Sequence, residues 1–79
     1  MTLEHHCRIV RDAGTAEGRW ALYWDGAYCD DYPSTQQARA AGLSLCHAGR
    51  SQVQIVIHVE DASGRRMSTE RLFRPAIAA

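Results

Sequence analysis

Four histidines and three cysteines give this chain the nitrogen and sulfur ligands that zinc prefers, so their spacing decides whether they could hold a metal. His5, His6 and Cys7 are consecutive, and on an extended strand they point to alternating faces. Zinc ligands usually come in pairs with a few residues between them. We therefore predict no metal and no cofactor, and interpret the terminal histidines as incidental. The other candidate ligands are scattered: Cys29, Cys46, His47 and His58.

Two adjacent pairs of residues suggest catalysis at first sight. Cys46 and His47 would need to face each other to act as a thiolate and its base, but neighbouring helix residues diverge by about 100°. Asp30 and Asp31 would point to opposite faces of a strand, so they cannot share a proton. Since no nucleophile with a base, phosphate loop or metal motif remains, we predict that the chain is not an enzyme.

Arginines concentrate near the carboxyl end and are the best argument for nucleic-acid binding. Acidic residues are interspersed among them, and no zinc-finger, helix-turn-helix or RNA-recognition signature accompanies them. A solvated edge strand is favoured, with a protein interface and nucleic-acid binding as the alternatives. The arginines are Arg65, Arg66, Arg71 and Arg74.

Five of the six aromatic residues fall within one short segment, which reads as a β-hairpin followed by a helix. Asp25-Gly26 favours a tight turn, and Pro33 should end the second strand of the hairpin. Ser34 and Gln37 have the spacing of a capping box at a helix N-terminus. We interpret Trp20 and Trp24 as core residues, and Tyr23 and Tyr28 as surface residues.

Alternating apolar residues and turn signals predict an α+β fold, with four to five antiparallel strands and one helix packed on one sheet face. Met67 and Phe73 differ in parity from Leu72, so the last strand should contain a bulge or end early. The element order is β-β-β-α-β-β. The strands are predicted at His5–Arg11, Arg19–Trp24, Ala27–Tyr32, Val53–Glu60 and Arg65–Phe73, and the helix at Thr35–Ala48.

Length and charge limit the function further. The 79 residues suffice for one domain, which we place at residues 5–73 with flexible termini at 1–4 and 74–79. The net charge is zero, but residues 1–32 hold three arginines and six acidic residues, whereas residues 33–79 hold six arginines and three acidic residues. No secretory signal or membrane-spanning run is evident, and the three cysteines form no C-x-x-C pair. These features predict a cytoplasmic protein with free thiols.

A strand that begins with Trp, an acidic-Gly turn, a capped helix and an I-V-I-H strand form a pattern over most of the chain. It resembles a family of small bacterial and archaeal domains of unknown function. The resemblance supports the fold and implies no activity, substrate or catalytic residue. The matching residues are Trp20, Asp25, Gly26, Tyr32, Thr35, Ala38, Ile55, Val56, His58 and Gly64.

We therefore expect a non-enzymatic protein-interaction module, with self-association into a homodimer as one form of interaction. The alternative is nucleic-acid binding through the arginine-bearing last strand and an exposed tyrosine or histidine. The second sheet face, which the helix does not cover, would supply the contacts. The expected surface residues are Tyr23, Val56, His58, Arg65, Arg66 and Arg71.

Overall fold

Residues 2–14, 18–45 and 52–75 are described by the computed structural model, and within them five strands and one helix form an α+β domain. The single domain and its element order confirm the sequence-based expectation. The elements are β1 (Thr2–Arg11), β2 (Trp20–Trp24), β3 (Ala27–Tyr32), α1 (Thr35–Leu45), β4 (Gln52–Glu60) and β5 (Arg66–Arg74).

The sheet is mixed, and the expectation of an antiparallel sheet was wrong at its centre. Its strand order is β3-β2-β1-β4-β5, and β1 pairs with β4 in parallel, whereas the other three pairings are antiparallel. The physical reason is the helix between β3 and β4. A helical crossover returns the chain in the direction of the strand it left, so β4 runs the same way as β3 and β1.

Several element boundaries differ from those predicted. β1 begins at Thr2 rather than at His5, so residues 2–4, which the sequence placed outside the domain, are paired with β4. The strand is longer because β4 offers a continuous parallel partner from Gln52 to Glu60. The described part of α1 ends at Leu45, and Cys46 and His47 lie outside the described residues.

The local signals around the hairpin and helix are confirmed. Asp25 and Gly26 both adopt positive φ, 48° and 88°, as a tight two-residue hairpin turn requires. The Ser34 hydroxyl oxygen accepts a hydrogen bond from the Gln37 backbone N–H at 3.1 Å, and so caps α1. The expected irregularity of β5 is a register shift next to Glu60, which leaves Met67 as the additional residue of a bulge.

The core lies between α1 and one face of the sheet, which we call the helix face. Fully or nearly buried side chains of β1, β2 and β4 meet Ala38 there. Both tryptophans are partly buried and pack against this cluster, as expected for core residues of a small domain. The buried members are Cys7, Ile9, Leu22, Ala38, Val53, Ile55 and Ile57.

Gly42 sets how closely α1 approaches the sheet. It is buried in the middle of the helix, and a Cβ at this position would lie 2.8 Å from Cys7 Sγ and 3.5 Å from Leu22 Cδ1. Because the buried residues of α1 are the small Ala38 and Gly42, the helix backbone can pack closely against the side chains of β1 and β2.

Candidate functional site

The second face of the sheet, which we call the open face, carries a set of mostly polar and aromatic side chains. Cross-strand pairing places neighbouring members of this set side by side across all five strands. The open face is formed by Glu4, His6, Arg8, Val10, Ala21, Tyr23, Tyr28, Asp31, Gln54, Val56, His58, Glu60, Arg66, Thr69, Arg71 and Phe73.

Val56 does not belong to an exposed surface, which corrects the sequence-based expectation. Its relative exposure is 0%, although it points away from α1. His6 of β1 and Arg71 of β5 are its cross-strand neighbours. Arg71 Nη1 lies 3.7 Å from Glu4 Oε1, so this ion pair reaches from β5 to β1 across β4. Polar side chains therefore cover a valine that sequence alternation alone placed on the surface.

A pair of stacked histidines occupies the middle of the open face. The His6 and His58 rings are nearly parallel, at 5°, with centroids 5.7 Å apart and His6 Nδ1 3.4 Å from His58 Nε2. Thr69 Oγ1 lies 3.4 Å from the other ring nitrogen of His58. Burial lowers the pKa of His58, and the nearby positive charges of Arg66, His6 and Arg71 lower it further against the opposing effect of Glu60.

Acidification should therefore destabilise the domain through His58. The unfolded chain binds a proton near the ordinary histidine pKa of 6.5, whereas the folded chain resists it, so the free energy of unfolding falls as the pH is lowered through and below that value. Urea unfolding across this range measures the effect. The His58→Gln variant should show a weaker dependence on pH, and parallel profiles for the two proteins would contradict the assignment.

Arg8 links the two halves of the open face. It donates two hydrogen bonds to Glu60, of 3.1 and 3.0 Å, and its guanidinium lies 5.5 Å from the centre of the Tyr23 ring. The hydrogen bonds from Arg8 keep the pKa of the buried Glu60 carboxyl below its usual value. Because Arg8 is already bound on both sides, it contributes to holding the face together rather than presenting a free cation.

The β2–β3 end of the open face contains a cleft of about 300 Å³. Tyr23 and Tyr28 meet edge to face across it, with ring centroids 5.7 Å apart. A hydrogen bond with Asp31 raises the pKa of Tyr28, a residue that is 56% exposed. The Asp31 backbone carbonyl accepts a hydrogen bond from Arg19 Nη2 at 3.0 Å. This end of the sheet is therefore aromatic, with Asp12 and Asp31 lying beside the guanidinium groups of Arg11 and Arg19.

The opposite end of the sheet is basic. β5 contains Arg66, Arg71 and Arg74, and Arg65 lies in the turn before it. The acidic residue of this strand, Glu70, accepts two hydrogen bonds from Arg39 of α1, at 2.8 and 3.0 Å, which lower its pKa. The strand order places the three strands of the acidic first half of the chain on one side of the sheet and the two strands of the basic second half on the other. The charge pattern of the sequence could not predict this separation, because it depends on the strand order.

β5 is nine residues long, lies at the end of the sheet, and is mostly exposed. Met67 and Phe73 are 61% and 59% exposed. Beside the strand, on the helix face, lies an apolar cavity of about 170 Å³. The cavity is lined by the Arg39–Glu70 ion pair and by Ile9, Thr35, Gln36, Ile57, Val59 and Ser68.

His5 has a structural role, although the sequence analysis interpreted it as incidental. Its Nδ1 lies 2.7 Å from Asp25 Oδ2, and its ring stacks on Trp24 with centroids 5.0 Å apart. Asp25 Oδ1 also accepts the His6 backbone N–H at 2.8 Å. Burial opposes the charge on Asp25, but these hydrogen bonds outweigh it and keep the carboxyl pKa low. Together they attach the hairpin turn to β1.

The described residues form no group of three or more potential metal ligands. Cys7 is buried in the core, and burial raises the pKa of its thiol to about 11, so it stays protonated near neutral pH. Cys29 is an exposed free thiol on β3. Within the described residues, no helix has the length and apolar character needed to span a membrane.

Searches of protein-family models, of curated proteins and of solved structures found no match to this chain. The resemblance to a family of small domains stays a prediction.

Proposed function

We propose that this chain is a non-enzymatic protein-interaction module that binds an extended, acidic segment of a partner along the outer edge of β5. The observation that carries the proposal is the position of β5: a long, exposed, arginine-bearing strand at the end of the sheet. The cysteines in the described part of the chain are free thiols, as is usual in a reducing cytoplasm, and we place the protein in that compartment.

Strand addition is the binding mode that such an edge supports. The outer backbone groups of a terminal strand can pair with an added strand, which supplies affinity independently of sequence. Side chains of the added strand then provide specificity where they reach pockets. The cavity of about 170 Å³ beside β5 is comparable to engineered cavities that hold benzene, so one apolar side chain fits it.

Charge selects the partner. Arg66, Arg71 and Arg74 outnumber Glu70 on the strand, and Glu70 is already bound by Arg39. An acidic segment would gain attraction along β5, whereas a basic one would be repelled. Natural edge strands often carry charges that prevent indiscriminate pairing, and arginines here permit pairing only with acidic strands.

The proposal predicts that a fluorescein-labelled synthetic peptide of alternating Val and Asp binds this protein, and that one of alternating Val and Lys does not. Fluorescence anisotropy measures the affinity. Arg74→Glu should weaken binding of the acidic peptide about tenfold, which corresponds to about 1.4 kcal/mol. Arg11→Glu changes the net charge equally but lies on β1, and should leave the affinity within about twofold. Equal losses in the two variants would contradict binding at β5.

Nucleic-acid binding is the second candidate, favoured by the cluster of arginines on and before β5. It would give an affinity for single-stranded oligonucleotides that falls linearly with the logarithm of salt concentration. Glu4 pairs with Arg71, and Glu60 faces Arg66 on the neighbouring strand, so either ligand meets a reduced positive charge. A peptide strand would also gain backbone hydrogen bonds along β5, which phosphates would not. If the oligonucleotide binds and the acidic peptide does not, the second candidate replaces the first.

A further inference from the structure

We propose that the acidic strand bound by β5 is β3 of a second copy of this chain, so that copies join head to tail into a continuous sheet. This inference rests on the proposed function and names the partner. Three independent properties of the two terminal strands carry it: their charge, their direction, and the side chains that face each other when they are aligned.

The two edges have opposite charge. β3 carries two aspartates and no basic residue, and the Arg19 guanidinium contacts its Asp31 carbonyl. β5 carries three arginines, of which Arg71 pairs with Glu4, and one glutamate that Arg39 binds. The strand order places these edges at opposite ends of the sheet. Pairing two β5 strands would bring arginines together, and pairing two β3 strands would bring aspartates together, so charge favours the unlike pair.

The directions of the strands also match. β1, β3 and β4 run one way, and β2 and β5 run the other way. When a second copy lies beside the first with its helix face on the same side, its β3 is antiparallel to β5 of the first copy. The joined edges therefore form an ordinary antiparallel ladder without inverting either molecule.

One alignment brings complementary side chains together. With Asp30 opposite Arg74, Tyr32 comes opposite Leu72, and all four of these side chains are on the helix face. On the open face the same alignment sets Asp31 opposite the exposed Phe73, next to Arg71. In this alignment three residues of β3 overlap three residues of β5. Both backbone groups of the central one, Asp31, are already bound, the carbonyl by Arg19 and the N–H by Asp30 Oδ1, so joining would exchange these bonds for ladder bonds with Phe73.

The contact is heterologous, because different surfaces of the two copies meet. Each addition leaves one free β3 and one free β5, so growth continues unless the sheet closes into a ring. The molar mass measured by light scattering should therefore rise with protein concentration beyond that of a dimer. A symmetric dimer through either face would instead stop at twice the monomer mass.

Charge reversal at one edge at a time tests the arrangement. Asp30→Arg makes β3 basic, and Arg74→Glu makes β5 less basic. Each variant alone should associate about tenfold more weakly than the wild type, because its own edges no longer attract each other. An equimolar mixture of the two should recover association, and so should one chain that carries both changes. Asp30→Asn keeps the oxygen that accepts the Asp31 N–H and controls for loss of that bond.

The outcomes separate this inference from the proposed function. Recovery in the mixture supports head-to-tail joining. If Asp30→Arg associates as well as the wild type, β3 is not the occupant and the inference fails. If the wild type stays monomeric at all concentrations but still binds the Val-Asp peptide, the inference fails while the proposed function stands. If it neither associates nor binds that peptide, both fail.

Discussion

Val56→Asp is expected to abolish folding rather than to weaken association. Val56 has no exposed surface and lies between its cross-strand neighbours His6 and Arg71. A carboxylate there would lose its hydration, which costs several kcal/mol. Pairing with the neighbouring Arg71 would offset only part of this cost, because it would compete with the Arg71–Glu4 ion pair. Domains are stable by only about 5–15 kcal/mol, and one this small lies near the lower end of that range. Circular dichroism and urea unfolding measure the result.

Two further substitutions make this prediction quantitative. Val56→Ala removes two methyl groups from a closed site and should lower the free energy of unfolding by about 2 kcal/mol. Phe73→Ala, at an exposed aromatic residue on the same face, should change it by no more than about 0.5 kcal/mol. If Val56→Asp folded with the wild-type urea midpoint, the polar cover over Val56 would be ruled out.

Gly42→Leu is expected to have the second large effect, by separating α1 from the sheet. The first carbon of any side chain at this position already comes 2.8 Å from Cys7 Sγ, and a leucine would add three more carbons. Replacing a helical glycine ordinarily gains about 1 kcal/mol of helix propensity. Overpacking costs about 1–3 kcal/mol or more, and here Cys7 is itself buried and cannot move aside.

The matched control for Gly42→Leu is Ala40→Leu, on the exposed side of the same helix. It places the same leucine side chain on the helix, with three added carbons instead of four, without entering the core, and should alter stability by no more than about 0.5 kcal/mol. Thermal unfolding of both variants compares them directly. Equal melting temperatures would show that α1 does not depend on close contact at Gly42.

Local signals predicted much of this fold. The Asp25-Gly26 turn, the Ser34 cap and the bulge in β5 each follow from the chemistry of a few neighbouring residues, and each is confirmed. The direction of β4 relative to β1 was missed because it depends on the helical crossover rather than on any local pattern. The presence of a helix between two strands was nevertheless a usable signal for a parallel pair.

The candidate site was less predictable than the fold. Alternation along β4 assigned Val56 correctly to the face away from α1, but burial there depends on long side chains from other strands. The roles of His5 and His6 likewise arise from contacts with Asp25 and His58, which are distant in sequence. Pairing between strands, rather than composition, determines which polar residues are available to a partner.

The parallel pairing of β1 with β4 also has consequences for how the chain folds. β1 precedes the other described elements in the chain, yet its contacts with β4 join distant residues, such as Arg8 and Glu60, which are 52 positions apart. The β2–β3 hairpin closes over a two-residue turn, so its strands pair without bringing distant parts of the chain together. Non-local contacts slow folding because the entropy of loop closure is lost before they form. We therefore expect the pairing of β4 with β1 to limit the rate of folding, and until it occurs the β1 edge that β4 covers stays exposed to the surrounding solution.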